Sequence, residues 1–289
     1  MNQAVKEMLK KYDIKTTTDA ENALKEIMQE IALLGLHRSN FFEKAAFYGG
    51  TALRVLYDLP RFSEDLDFTL FKPEKNFQLK PYFSAIEKEF QAYGFSVNIE
   101  HVDKSIKSDI ESAFVKANTK IHFLEIKSLS SFAEKFQTNA KLQIKFEVDT
   151  EPVENFMYET RYLLAPTSFP VISLQKPDLF AGKLHALLFR NWKNRIKGRD
   201  FYDYVWYLKN KTPVRISYLR DKALQSKHIK SASELQTIEQ LQSMIKTRIQ
   251  SIDIRQAKQD ISLFIKDQNE LSVWSLEFFN QITDQLKII

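Results

Sequence analysis

The 289-residue chain contains no cysteine, which excludes a disulfide framework and any thiolate metal site. Histidine is scarce too: five scattered residues make a His-based zinc centre unexpected, so any metal should be held by oxygen. Six glycines and eight prolines are too few for a collagen-like repeat, a Gly/Ser linker or a low-complexity segment. No apolar run reaches the ~18 residues of a membrane-spanning helix, and the opening MNQAVKEMLKKYDIKTTT lacks both an apolar stretch and a small-residue cleavage site. Membrane insertion and secretion are unsupported, and the cytoplasm is the expected location.

What is present is ample material for a core: 44% hydrophobic and 13% aromatic residues, with Lys, Glu, Leu and Phe favouring helix over sheet. A net charge of +5 suits a polyanionic partner, although such a balance is common in proteins that bind no nucleic acid. Apolar spacing predicts a helix over ENALKEIMQEIALLGL and an amphipathic one over PYFSAIEKEFQAYG, stopped by Gly94. Alternation predicts strands over DLDFTLF, FSVNIEHV, KIHFLEIK and KLQIKFEVDT, enough for a small mixed sheet. From Pro166 onward the period becomes helical, in LQKPDLFAGKLHALLFR, GRDFYDYVWYLKN, SASELQTIEQLQSMIKTRIQ and SVWSLEFFNQITDQLKII. The expected class is α+β: an α/β domain over residues 1–170 and a helical domain over 171–289, with no internal repeat.

The chemistry concentrates in Phe47 to Leu70, FYGGTALRVLYDLPRFSEDLDFTL. In a strand, residues two apart share a face, so Asp65 and Asp67 form a two-carboxylate wall while Leu66 and Phe68 face the core. Like charges that close call for a cation, and all-oxygen coordination completed by waters and phosphates suits Mg²⁺. Gly49 and Gly50 precede a short helix, Thr51 to Tyr57, where a bare backbone and free N–H groups would admit a phosphate. Thr51 adds a hydroxyl, and Arg61 and Ser63 lead into Asp65 with groups able to orient a carboxylate or a phosphate. A plain glycine turn and a chance D-x-D on an exposed strand are the bland alternatives, and either motif alone is weak.

Together these residues, G-G-T through R-F-S-E-D-L-D-F, resemble the signature of DNA polymerase β-like nucleotidyltransferases. With KPDLFAGKLHALLFR and KGRDFYDYVWYL they resemble more narrowly the AbiEii family of toxins, which includes the MenT toxins; the likeness spans roughly Phe47 to Leu208. It implies a polymerase β-like fold and Mg²⁺-dependent transfer of a nucleoside monophosphate from a nucleoside triphosphate to RNA. The implied acceptor is a tRNA 3′ end, and the implied partner is a cognate AbiEi-type antitoxin.

The superfamily usually carries a third carboxylate on a later strand, where KLQIKFEVDT offers Glu147 and Asp149; Asp149 is the candidate ligand. By periodicity Lys183 is either a snorkelling surface residue or a phosphate clamp, with Gly182 beside it permitting close approach of another backbone. The resemblance makes Lys183 the triphosphate ligand. Asp178, early in the same predicted helix, is expected to be a structural cap. Asp200 and Asp203 share a helix face and could simply form a solvated acidic edge. The resemblance makes Asp200, after Arg199, essential, either orienting Lys183 or activating the acceptor hydroxyl. The basic run RNWKNRIKGR, with Arg190, Lys193, Arg195, Lys197, Arg199 and a stacking Trp192, reads as a solvated loop or as a contact for acceptor RNA. The active site is expected in the cleft between the two halves. Rival readings are a metal-dependent nuclease, a non-catalytic RNA-binding module, and transfer to a protein or small molecule.

Overall fold

A computed structural model describes residues 2–101, 110–118, 141–191 and 196–289. The chain divides into two compact units. The first comprises Met1–Asp58, Phe62–Pro152 and Glu159–Ser173; the second comprises Leu59–Arg61, Val153–Tyr158 and Leu174–Ile289.

The first unit opens with helices α1 (Gln3–Leu9) and α2 (Thr17–Arg38). Helix α2 starts in a capping box, in which the Thr16 side chain accepts from the Asp19 N–H and the Asp19 carboxylate accepts from the Thr16 N–H. From Glu26 to Leu36 every residue of α2 is buried, so this is a core helix rather than a surface stripe. Strand β1 (Ala45–Tyr48) runs straight into helix α3 (Gly49–Tyr57), followed by β2 (Asp65–Leu70), helix α4 (Phe83–Ala92), β3 (Val97–His101), β4 (Ile110–Asn118), β5 (Lys141–Asp149), β6 (Tyr158–Leu163) and β7 (Phe169–Leu174). The strands form one mixed sheet in the order β3-β4-β5-β2-β1-β7-β6. Strand β2 is central, antiparallel to β1 and parallel to β5. Its Leu66 and Phe68 have no exposed surface and join Phe47, Phe146 and Val148 in the core.

The sheet is larger than the sequence pattern suggests. Strand β1 is a four-residue apolar run too short to show alternation, and β7 contains Pro170, which argues against a strand within a sequence run. The strand expected over 120–127 lies outside the described residues. Helix α3 ends on Asp58, which takes a left-handed conformation (φ 59°) before Pro60 is reached.

In the second unit, α5 (Lys176–Phe189) and α6 (Gly198–Lys209) pack through Phe180 stacked on Tyr207, with ring centroids 4.2 Å apart. The chain continues through α7 (Ile216–Gln225), α8 (Ile238–Gln250), α9 (Ile254–Ser262) and α10 (Leu276–Thr283). The helix expected over 231–250 is divided: a short 3₁₀ turn at Ala232–Glu234 precedes α8, which starts at the Thr237 and Gln240 capping box. Among the described residues no helix is long and apolar enough to cross a membrane.

Candidate active site

In the first unit, β2 presents Asp65 and Asp67 half-exposed on one face while Leu66 and Phe68 point into the core. Gly49 has φ +84°, a conformation that costs glycine little and other residues much. A Cβ built there would overlap Oδ2 of Asp67 and lie 3.1 Å from its Cβ and Cγ. The space left by Gly49 is therefore taken by the Asp67 carboxylate, which sits against the start of α3, where the helix dipole favours negative charge. Gly50 is buried in the first turn of α3. Thr51 is not the exposed phosphate-facing group expected: it is fully buried, and its hydroxyl donates to the carbonyl oxygen of Asp65, tying α3 to β2. Ser63 is held through its carbonyl, which accepts from Gln29 Nε2 at 3.0 Å, and Lys25 lies 3.4 Å from Glu64. Helix α2 thus pins the approach to the acid pair.

The register between β2 and β5 places the two candidates for a third carboxylate differently. Glu147 is paired with Asp67, and Lys145 with Asp65, whereas Asp149 is level with Thr69. Directly paired residues on neighbouring strands lie about 4.8 Å apart, and Asp149 is about 6.6 Å further along. Its Oδ1 accepts from the Glu151 N–H at the strand end. Glu147 is the better-placed group, since strand pairing brings it beside Asp67.

In the second unit, five charged side chains form a ladder. Arg61 is buried, and its guanidinium grips Asp203 through two bonds of 2.6 Å, from Nε to Oδ1 and from Nη2 to Oδ2. Lys183 Nζ lies 2.7 Å from Asp203 Oδ2 and 3.5 Å from Asp200 Oδ1, and Arg190 Nη1 donates to Asp200 Oδ2 at 2.5 Å. Burial alone would raise the Asp203 carboxyl, but Arg61 and Lys183 outweigh it and hold that group below the usual aspartate range. Arg61 is therefore placed in an internal ion pair, not on a phosphate. Asp203, read as a possible solvated edge, is the residue that sequence reasoning undervalued. Three cations against two carboxylates leave one positive charge in excess. Lys183 keeps 17% exposure and has a third N–H for an anionic ligand.

A family model for the nucleotidyl transferase AbiEii toxin of type IV toxin–antitoxin systems matches residues 31–279. The chain belongs to the AbiEii family. It is a nucleotidyltransferase of the toxin class, and its family implies a nucleotide substrate and an antitoxin partner. The fold is like that of MenT4, a nucleotidyltransferase toxin from Mycobacterium tuberculosis H37Rv, at TM-score 0.55 and 12% identity over 99% of this chain and 88% of that one. It is also like JHP933 from Helicobacter pylori, at TM-score 0.50 and 17% identity over 91% of this chain and 90% of that one. No curated protein sequence matched.

Other positions in this AbiEii chain serve packing. Asp178 is fully buried against Arg215, whose Nε lies 3.0 Å from both carboxylate oxygens, as expected of a structural group. Among the described residues a Cβ at Gly182 would meet nothing within 4 Å, so no described backbone approaches there, where close approach was expected from sequence. Of the basic run, Arg190 is engaged with Asp200, Arg199 lies 4.2 Å over the Phe264 ring, and Lys197 occupies the N-cap position of α6, where its backbone carbonyl accepts from the Asp200 N–H. Lys193, Arg195 and Trp192 lie outside the described residues. Among the described residues no three His, Cys, Asp or Glu side chains converge as metal ligands. Mg²⁺ is commonly held by only one or two carboxylates, with waters and substrate phosphates completing the shell. The half-exposed pair Asp65 and Asp67 fits that donor set.

Proposed function

We propose that this toxin transfers a nucleoside monophosphate from a nucleoside triphosphate to the 3′ end of an RNA, with tRNA as acceptor, and so blocks translation. The observation that carries the reading is the packing of Asp67 into the space of a side-chain-free Gly49, which fixes one of two same-face carboxylates on the central strand. Asp65 and Asp67 would hold Mg²⁺, which when bound neutralises phosphate charge as it develops in the transfer. Lys183 is proposed to bind the β- and γ-phosphates through the N–H left over by Asp203 and Asp200. Asp203 holds Lys183 in place and shares it with Asp200; Arg190 orients Asp200. Arg190, Lys193, Arg195, Lys197 and Arg199 are proposed to meet the acceptor backbone, which makes binding salt-dependent. The cognate antitoxin is proposed to be of the AbiEi type, and the cytoplasm is the proposed compartment.

The excess positive charge around Lys183 favours a triphosphate substrate over a bare phosphodiester, and hence transfer over hydrolysis. The test is incubation with Mg²⁺, total tRNA and one α-labelled triphosphate at a time. Label at the RNA 3′ end, lost in Asp67→Asn and on chelation, is the expected result. RNA shortened without nucleotide would establish a nuclease instead, and label on protein or a small molecule would remove the tRNA acceptor.

A further inference from the structure

Beside the acid pair stands a cation that the proposed transfer does not use. Lys145 and Glu147 of β5 are paired in register with Asp65 and Asp67 of β2, and residues two apart on a strand share a face. The four side chains therefore form a two-by-two patch of three carboxylates and one ammonium. Lys145 Nζ lies 2.6 Å from Glu147 Oε1, with the two side chains 34% and 24% exposed. Glu147, the acid best placed to join Asp67 around a metal, is thus held by a lysine, in keeping with the lack of three converging acidic ligands among the described residues.

We propose that Lys145 is the resident counter-cation of this patch: it holds Glu147 in the metal-free protein, yields when a divalent cation arrives, and then turns to the phosphates that accompany that cation. The inference rests on the nucleotidyl-transfer reading of Asp65 and Asp67. An ion pair as exposed as this is weak enough to be displaced. An ammonium on a flexible four-carbon stem imposes no fixed geometry, so it can exchange one anion for another with little rearrangement. A divalent ion entering the patch must compete with that ammonium for the same negative charge, whereas a metal–triphosphate brings new negative charge for the lysine to meet.

Two opposite effects follow for Lys145→Met. Mn²⁺ binding without nucleotide, followed by the paramagnetic resonance of the free ion, should tighten on the order of tenfold, because the competing charge is gone. The KM for the triphosphate should rise several-fold. Lys145→Arg, which keeps the charge, should stay near wild type in Mn²⁺ affinity, and Lys145→Gln serves as a second neutral variant, with thermal melting to confirm the fold. Unchanged or weaker Mn²⁺ binding in both folded neutral variants overturns the proposal. Asp67→Asn separates the two readings: loss of Mn²⁺ binding there leaves the metal site standing even when Lys145 proves irrelevant. Retention of Mn²⁺ in Asp67→Asn removes the metal site and this inference with it.

Discussion

Asp203 has no exposed surface, and its two oxygens carry a buried guanidinium and a partly exposed ammonium at once. Taking away its charge removes the bidentate partner of the buried Arg61 guanidinium, a change that typically costs about 3–5 kcal/mol. Asp203→Asn should therefore lower the urea midpoint sharply and abolish transfer. Asp200→Asn, which spares the buried pair, should abolish transfer with a smaller loss of stability; denaturation curves and labelled-nucleotide assays on the two variants make the comparison. Glu30 gives a second residue-level prediction. It is nearly buried with an unpartnered Oε2, and burial, with Glu26 adding and Lys11 and Arg54 opposing, raises its carboxyl from 4.5 to about 7. The folded protein thus holds this proton more tightly than the unfolded chain. The resulting stability is fully present below pH 4.5 and is lost as pH rises through 7. Glu30→Gln, neutral at every pH, should match wild type near pH 4.5 and exceed it at pH 8 by up to about 3 kcal/mol. Equal stabilities at pH 8 would contradict the buried charge.

At the scale of elements, the turn from β1 into α3 and the strand β2 work as one piece, joined by Gly49 against Asp67 and by Thr51 on the Asp65 carbonyl. Gly49→Ala puts a methyl where Asp67 Oδ2 sits and strains a positive φ. It should cut transfer by at least tenfold while lowering stability by only about 1–3 kcal/mol, read from melting curves and single-turnover rates. Much of this piece was legible in the sequence, because period-two alternation in DLDFTL is a local property and sorts Asp65 and Asp67 from Leu66 and Phe68 without knowledge of the fold. Strand pairing is not local. Nothing in KLQIKFEVDT says which of Glu147 and Asp149 will lie beside Asp67, and the parallel register decides it. For the same reason the sequence left open whether Arg61 orients a carboxylate or a phosphate, because its partner Asp203 lies 142 residues away. Thr51 follows that pattern: its hydroxyl looks available in a sequence and is spent in the structure.

For the whole molecule, the network around Lys183 brings three cations to two carboxylates, and β2 with its neighbour β5 brings Asp65, Asp67 and Glu147 together with Lys145. A nucleotide that binds the folded state alone stabilises it by mass action, about 2.7 kcal/mol at a hundredfold excess over its dissociation constant. Thermal melting with Mg²⁺ and each of the four ribonucleoside triphosphates in turn should show a rise with the preferred base, absent in Asp67→Asn and in Lys183→Ala. A rise that survives both substitutions would place the nucleotide elsewhere.

Gly49 also bears on how such a toxin is escaped. Every replacement reachable by changing one base of a glycine codon to that of another residue adds at least one carbon, and that first carbon falls where the Asp67 carboxylate lies. Cells selected for survival while expressing the gene should therefore yield Gly49 missense alleles that still accumulate as full-length, soluble protein, clustered in the same genetic class as changes at Asp65 and Asp67. Substitutions at Arg61 or Asp203 should instead be recovered as alleles whose product is degraded.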